Sequence, residues 1–102
     1  MKYYVVVEIN ITDPSWIPEY LQKVTKMVES VGGKYLARTA NIEIIEGEKT
    51  QPNNIVIIEF PSKEVAHAFY ESDEYQPFKG KRINGTKEGS FMLVAGEDIA
   101  KS

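Results

Sequence analysis

The chain has 102 residues, of which 42% are hydrophobic and 26% charged, and a formal net charge of −3 at pH 7. This size and composition predict one globular domain over residues 1–102, with its core at about 3–97. The acidic balance argues against nucleic acid as a partner, and the absence of cysteine excludes disulfides and thiolate chemistry. No apolar run approaches the roughly 20 residues that cross a bilayer. We therefore expect no membrane contact and a cytoplasmic location.

The first predicted element is a β-strand over Tyr3–Ile11. Its sequence, YYVVVEINI, is rich in β-branched and aromatic residues, which favour strands over helices. Side chains alternate between the two faces of a strand, and the row that contains Tyr3 and Ile11 is wholly apolar. The other row becomes polar at Glu8 and Asn10, so the two faces of the sheet are expected to differ.

An amphipathic helix follows this strand and is expected to end at Gly32 and Gly33. Asp13 or Thr12 can cap its first turn, and Pro14 suits the first helical position, where no hydrogen-bond donor is lost. Apolar residues then recur at spacings of three and four, which is typical of a helix with one buried side. These residues are Ile17, Tyr20, Leu21, Val24, Val28 and Val31.

Two further strands are predicted, over Lys34–Ile45 and Ile55–Phe60. The later one, IVIIEF, is an almost continuous apolar run, as expected for a central strand. The residues between them, EGEKTQPNN, form a polar turn that contains glycine, proline and two asparagines.

A second helix is predicted from Lys63 to about Ser72, with Ser62 as its N-cap. The segment DEYQPFKGKRINGTKEG, residues 73–89, is expected to be irregular because turn residues occur at both of its ends. The last strand is Ser90–Glu97, and the final residues form a frayed tail.

The predicted order of elements is therefore β-α-β-β-α-β, with no linker or repeat. This order is typical of the ferredoxin-like fold of the α+β class, in which a four-stranded antiparallel sheet carries two helices on one face. Because the crossovers are right-handed, the expected order of strands across the sheet is 4-1-3-2.

The sheet face opposite the helices, called here the open face, is expected to be largely apolar. An unpaired charge is costly beneath a helix, so the rows that contain Glu8, Glu59 and Arg38 are assigned to this face. Its apolar members are Val6, Leu36, Ile42, Ile55, Ile57, and either Phe91 with Leu93 or Met92 with Val94. A monomer seldom exposes so large an apolar surface, so we predict a homodimer in which two sheets form a barrel. The alternative is a monomer that uses this face to bind another protein.

Arg38 and Glu59 form the first candidate site, if the second and third strands pair with these two residues across from each other. Between two subunits such a pair would be partly desolvated. It would serve either as an anchor for an anionic or carbonyl ligand or as a cross-strand ion pair that sets the strand register.

A second candidate group lies near the second helix and contains Tyr70, Tyr75, Phe78 and Arg82. Aromatic hydroxyls beside a cation can orient a carboxylate or carbonyl ligand, but tyrosines also often close the rim of a core. His67, the only histidine, falls on the solvent side of the helix and is expected to be an ordinary surface residue. No metal-ligand spacing, phosphate loop or Gly-x-Ser-x-Gly motif occurs, so no metal or covalent chemistry is expected.

Four segments resemble a family known as domain of unknown function 1330. They are GGKYLAR (32–38), IEIIEGE (42–48), VIIEFPSKEVAHAFYESDEYQPFKGKR (56–82) and FMLVAGE (91–97), and the resemblance covers roughly residues 3–97. It implies a dimeric α+β barrel with a ferredoxin-like protomer. The wider superfamily includes cofactor-free monooxygenases, lactone isomerases and heme-dependent enzymes, which use a pocket between the sheet and the helices.

The resemblance also implies a set of recurring polar positions. They correspond here to Arg38, Glu59, Tyr70, Ser72, Tyr75 and Arg82. Two departures are that Phe69 stands where many members have tryptophan, and that RTAN replaces a run of the Arg-Gly-Gly type. A heme would need an axial histidine inside the pocket, whereas His67 is expected on an outer helix face, so no cofactor is predicted.

The sequence leaves two functions open. In the first, the protein binds or acts on a small anionic or carbonyl-containing molecule beside the sheet. Its catalytic residues would be Glu59, as a general base or as the group that orients Arg38, and Tyr70 as a hydrogen-bond donor. Its ligand-binding residues would be Arg38, Ser72, Tyr75 and Arg82. In the second, the same residues only fix a dimer or another protein interface, and there is no small-molecule site.

Overall fold

The computed structural model describes residues 1–47 and 52–101. The elements in chain order are β1 (Tyr3–Ile11), α1 (Ile17–Ser30), β2 (Lys34–Thr39), β3 (Asn54–Phe60), α2 (Lys63–Glu71), α3 (Gln76–Asn84) and β4 (Thr86–Ala95). Short 3₁₀ turns precede α1 at Pro14–Trp16 and follow β4 at Ile99–Lys101. Within the described part of the chain, no helix has both the length and the apolar character needed to cross a membrane.

The four strands form one antiparallel sheet in the order β2-β3-β1-β4. This is the predicted order, and it confirms the ferredoxin-like α+β fold. β1 lies in the centre, where Val5 pairs with Ile58 of β3 on one side and with Leu93 of β4 on the other. β1 and β3, the two strands with long apolar runs, therefore each have a hydrogen-bonded neighbour on both edges.

The apolar row of β1 faces the helices and forms the centre of the core. Val5, Val7 and Ile9 are each at most 4% exposed. The other buried apolar residues of the core are Val24 and Val28 of α1, Ile58 and Phe60 of β3, Ala66 and Phe69 of α2, and Tyr75. The predicted assignment of the two sheet faces is thus confirmed for β1 and β3, because burying the wholly apolar row leaves the polar row to the other face.

The start of α1 combines the predicted cap with an unpredicted 3₁₀ turn. The carboxylate of Asp13 accepts a hydrogen bond of 2.9 Å from the Ser15 amide, and Pro14 occupies the first position of the turn. The α-helix itself begins at Ile17. It ends as expected, because Gly32 adopts a positive φ of 84° that costs glycine little.

Two predicted boundaries are wrong. β2 ends at Thr39, not at Ile45, and residues 40–47 are not in a strand. β4 begins at Thr86, four positions before Ser90. Residues 48–51 of the predicted polar turn and Ser102 of the predicted tail lie outside the described residues.

The prediction that residues 73–89 are irregular is also wrong, since this segment contains α3. The helix has few apolar residues and an internal Gly80, so the usual periodic signal is absent. Pro77 lies in its first turn and two cations in its last turn, and both features favour a helix. Its one buried residue is Arg82.

A β-bulge in β2 changes the predicted register. Tyr35 pairs with Ile58 and Ala37 pairs with Ile57, so Leu36 is an extra residue between them. Before the bulge Glu59 lies opposite Lys34, and after it Arg38 lies opposite Val56. The predicted Arg38–Glu59 pair is therefore wrong. So is the placement of Arg38 on the open face, because one extra residue moves all later side chains of the strand to the opposite face.

Candidate ligand-binding site

A cavity of about 190 Å³ lies between α1 and the helix-covered face of the sheet. Its walls are mainly apolar and aromatic side chains. They come from β1 (Val7, Ile9, Ile11), the 3₁₀ turn and α1 (Trp16, Ile17, Tyr20, Leu21, Val24), β2 and β3 (Tyr35, Val56, Ile58), and from Phe69, Tyr75 and Phe91. The polar lining consists of Arg38, Thr39, Asn54 and Arg82, together with the hydroxyls of the tyrosines.

The inner end of the cavity contains a pair of tyrosine hydroxyls. The Oη atoms of Tyr20 and Tyr75 are 2.6 Å apart, and Tyr75 is completely buried. Burial and then the neighbouring Tyr75 raise the pKa of Tyr20 well above its ordinary value of 10.0. Both effects disfavour the phenolate, so Tyr20 is a hydrogen-bond donor in this site and not a base.

Arg82 lies beside this pair and is only 7% exposed. Its Nε donates a long hydrogen bond of 3.4 Å to Tyr75 Oη, and its guanidinium carbon is 5.3 Å from the centre of the Phe91 ring. Burial is the largest effect and lowers the pKa of Arg82, but Tyr75, Tyr20 and Tyr70 together raise it, and the net pKa is raised. Arg82 is therefore a buried cation at the inner end of the cavity.

None of the carboxylates in the described segments forms an ion pair with Arg82. The cavity lining contains arginine, threonine and asparagine but no aspartate, glutamate or histidine from those segments. A buried charge without a counter-ion costs several kcal/mol. The described side chains thus supply no negative charge within ion-pair distance at this end of the cavity, although Glu88 borders a separate, more open pocket that Arg82 also lines.

The outer end of the cavity is marked by Arg38 and by Leu21, which is 45% exposed. The Arg38 guanidinium stacks 3.7 Å above the centre of the Tyr35 ring and donates a 2.7 Å hydrogen bond from Nη1 to Thr25 Oγ1. Arg38 is exposed to solvent. These contacts hold a second cation at the mouth of the cavity.

Three of the six predicted site residues, Arg38, Tyr75 and Arg82, line this one cavity. Tyr70 lies behind it, with its ring 6.0 Å from Tyr75 and 4.7 Å from Phe91. Ser72 donates from Oγ to the Phe69 carbonyl oxygen at 2.8 Å and is the C-terminal cap of α2. Tyr70 and Ser72 therefore support the site without lining it.

Glu59 is on the opposite face of the sheet. Its carboxylate is 3.2 Å from Lys2 Nζ, and Tyr4 is its neighbour across β1. The sheet separates it from the cavity, so the prediction that it acts beside Arg38 is wrong. His67 is on the surface as expected, with its side chain 53% exposed and Nδ1 3.8 Å from Glu71.

Tyr20 is the most important of the site residues that were not predicted from the sequence. It belongs to the periodic apolar stripe of α1 and was counted as part of the core. Its hydroxyl was the available signal, since a buried tyrosine hydroxyl usually needs a partner. Thr39, Asn54 and Trp16 were missed as well, and the Trp16 Nε1 hydrogen is buried without a partner among the described groups.

A metal site receives no support from the described parts of the chain. Nowhere in them do three or more histidine, cysteine, aspartate or glutamate side chains come close enough together to hold an ion. The donors at the inner end of the cavity are hydroxyl and guanidinium groups, which suit an anion and not a cation.

Several solved structures share this fold. A protein of unknown function from Rhodopseudomonas palustris superposes with a TM-score of 0.77 at 11% identity, over 95% of this chain and 83% of its own. A dimeric ferredoxin-like protein of unknown function from Jannaschia sp. CCS1 has a TM-score of 0.73 at 14% identity, over 96% and 100% of the two chains. An antibiotic biosynthesis monooxygenase has a TM-score of 0.53 at 16% identity, over 96% and 100%. At these identities the likeness shows the fold alone.

Sequence comparison leads to a family but not to an activity. No curated protein sequence matches the chain. Residues 2–97 match the family described as Domain of unknown function (DUF1330), as the resemblance of the four segments implied. This match spans nearly the whole chain, and the protein belongs to the DUF1330 family.

Proposed function

We propose that this protein binds a small molecule, with an apolar body and one anionic or carbonyl end, in the cavity between α1 and the sheet. The observation that carries the proposal is Arg82, a buried cation that faces an apolar cavity without a carboxylate partner among the described residues. A ligand that accepts hydrogen bonds from this group would offset the cost of its burial.

The other groups of the cavity agree with this assignment. The hydroxyl pair of Tyr20 and Tyr75 adds donors beside Arg82, and Arg38 places a cation at the mouth. The volume of about 190 Å³ is below the roughly 300 Å³ at which sites for drug-sized ligands begin. The proposed ligand is therefore small.

The chemistry that these residues can supply is binding and stabilisation of negative charge. Hydrogen-bond donors that are fixed in a desolvated site stabilise a developing anion more strongly than water does. A general base would require a carboxylate or imidazole, and the described lining has neither. Proton abstraction by a protein side chain is accordingly not part of the proposal.

The test is a thermal-shift and calorimetric screen of small compounds with the same apolar body and different end groups. We expect carboxylates and ketones to raise Tm and the corresponding amines to have no effect. A ligand at one hundred times its Kd should stabilise the fold by about 2.7 kcal/mol.

The Arg82→Met variant should lose this stabilisation. Lys81→Met is the matched control, because it removes a cation from the same helix at a residue whose ion pair with Glu19 is on the surface. If no compound binds, or if both variants bind as the wild type does, the cavity is not a ligand site.

We also propose that a second copy of the chain covers the open face. Val6 lies between Ile57 and Met92 across three strands, and together they form an apolar row on this face. Leu36, Met92 and Val94 are between 42% and 48% exposed. A contiguous apolar patch of this kind is typical of an interface, and one neighbour with the same fold is described as dimeric.

Analytical ultracentrifugation tests this proposal. A Val94→Asp variant should sediment as a monomer at concentrations where the wild type is a dimer. Val31→Asp introduces the same charge at a similarly exposed apolar residue after α1, and it should leave the assembly unchanged. A dimer that persists in Val94→Asp would show that this face is not the interface.

A further inference from the structure

We infer that the inner end of the cavity binds an ionised carboxylate in preference to a neutral carbonyl group of the same size. This inference rests on the proposed ligand binding and narrows the class of ligand. The inference follows from the number of free hydrogen-bond donors at the inner end and from the positive charge of Arg82.

The donor count starts with the two tyrosine hydroxyls. Tyr20 and Tyr75 carry two hydroxyl protons, and the 2.6 Å contact between their oxygens uses one of them. The other proton has no acceptor among the described residues. The tyrosine pair therefore offers one hydroxyl donor to a ligand.

Arg82 adds more donors than the hydroxyl pair. A guanidinium has five N–H groups, and one of them, at Nε, reaches Tyr75 Oη. The four Nη hydrogens form no hydrogen bond with the described part of the protein, and the Nη atoms keep some contact with solvent, so they are open to a ligand. The inner end thus offers several unused donors, whereas its only acceptors among the described groups are the remaining lone pairs of the two tyrosine hydroxyls, and it suits an acceptor better than a cationic amine.

The charge count separates a carboxylate from a carbonyl group. A ketone or amide oxygen has two lone pairs and leaves the positive charge of Arg82 uncompensated. A carboxylate has about four lone-pair sites, cancels the charge, and matches the planar fork of a guanidinium with two parallel hydrogen bonds. A phosphate ester would bring a charge of about −1.5 to −2 and leave excess negative charge against aromatic walls such as Phe91.

The walls define the rest of the ligand. Phe69, Phe91 and Ile58 line the cavity together with Arg82, so the body attached to the carboxylate is apolar. The cavity volume of about 190 Å³ keeps this body small. The inferred ligands are therefore compact aromatic or branched aliphatic monocarboxylic acids.

The experiment compares acids with their amides, which have nearly the same shape but no charge. Isothermal titration calorimetry at neutral pH measures the wild type against three pairs: benzoate with benzamide, phenylacetate with phenylacetamide, and 3-methylbutanoate with its amide. We expect the acid of at least one pair to bind more than about tenfold tighter than its amide, as a charge-assisted hydrogen bond would give.

Three results would overturn the inference. Equal affinities for acid and amide leave the proposed binding function intact and remove the selectivity for an anion. Tighter binding of 4-nitrophenolate, detected by its absorbance, than of every carboxylate would assign the site to phenolates. Failure of all the compounds to bind would remove the proposed function itself, so the failures of the two proposals are distinguishable.

Variants then test which residues cause the preference for the acid over its amide. Arg82→Met should lower the affinity for the preferred acid more than about tenfold while changing the amide less than about threefold, and Lys81→Met should change neither. Should Arg82→Met fail to fold, the double variant Tyr20→Phe/Tyr75→Phe, which removes the free hydroxyl proton, gives the same measurement. An equal loss for acid and amide in both variants contradicts the inferred carboxylate contact.

Discussion

Replacing Arg82 by methionine should stabilise the protein in the absence of ligand. The side chain is only 7% exposed and has one long hydrogen bond of 3.4 Å, to Tyr75. Losing that bond costs about 1 kcal/mol, and losing the contact with the Phe91 ring at 5.3 Å costs up to about 1 kcal/mol. Removing an uncompensated buried charge returns several kcal/mol. The net expected change is a gain of about 1–3 kcal/mol in the free energy of unfolding.

Urea denaturation followed by circular dichroism measures this change directly. At unchanged m-value, a gain of 1–3 kcal/mol raises the midpoint concentration, and each kcal/mol corresponds to about 4–8 °C in Tm for a domain of this size. Lys81→Met is the control, and it should lose no more than about 1 kcal/mol because its ion pair with Glu19 is exposed. A loss of more than about 2 kcal/mol in Arg82→Met would refute the reasoning, since it would show that the ligand-free fold already compensates the charge.

Three further predictions concern the framework of the site. Gly85→Ala should destabilise the fold by about 1–3 kcal/mol in urea denaturation, because an added Cβ would overlap the Trp16 ring, whereas Gly80→Ala has open space and should gain up to about 1 kcal/mol. Ser62→Ala should lose about 1 kcal/mol, since the Ser62 hydroxyl accepts a hydrogen bond of 3.2 Å from an amide in the first turn of α2, and an unchanged Tm would contradict this cap. The raised pKa of Tyr20 has no effect on stability below about pH 10, where the hydroxyl is protonated in both states. Above that pH only the unfolded state loses the proton, so the free energy of unfolding should fall by up to about 1.4 kcal/mol per pH unit from this group, and Tyr20→Phe should fall less steeply than the wild type in the same titration.

The helices and strands that the sequence predicted well are those with a strong periodic signal. β1, β3, α1 and α2 were all placed within a few residues, because alternation or a spacing of three and four is a local property of the chain. α3 was missed because the residue that it buries is charged and not apolar. A search for periodic apolar residues does not find a helix whose buried residue is an arginine.

The candidate site was predicted only in part. Tyr75 and Arg82 were named together and do meet, since they are seven positions apart and joined by one helix. Arg38 was predicted on the open face. It lies on the helix-covered face instead and lines the same cavity. Glu59 stayed on the open face as predicted, and the bulge in β2, which no property of β2 alone could indicate, moved Arg38 to the other face.

The sequence by itself determined the order of the elements, the buried face of β1 and β3, and hence the ferredoxin-like sheet. These features depend on the chemical type and spacing of nearby residues. Only the tertiary structure decided the bulge at Leu36, the burial of Arg82 and the contact between the hydroxyls of Tyr20 and Tyr75. Each of these depends on which strand or helix lies opposite. Two separate parts of the chain, α1 and residues 75–82, place a cation and two phenols at one end of an apolar space.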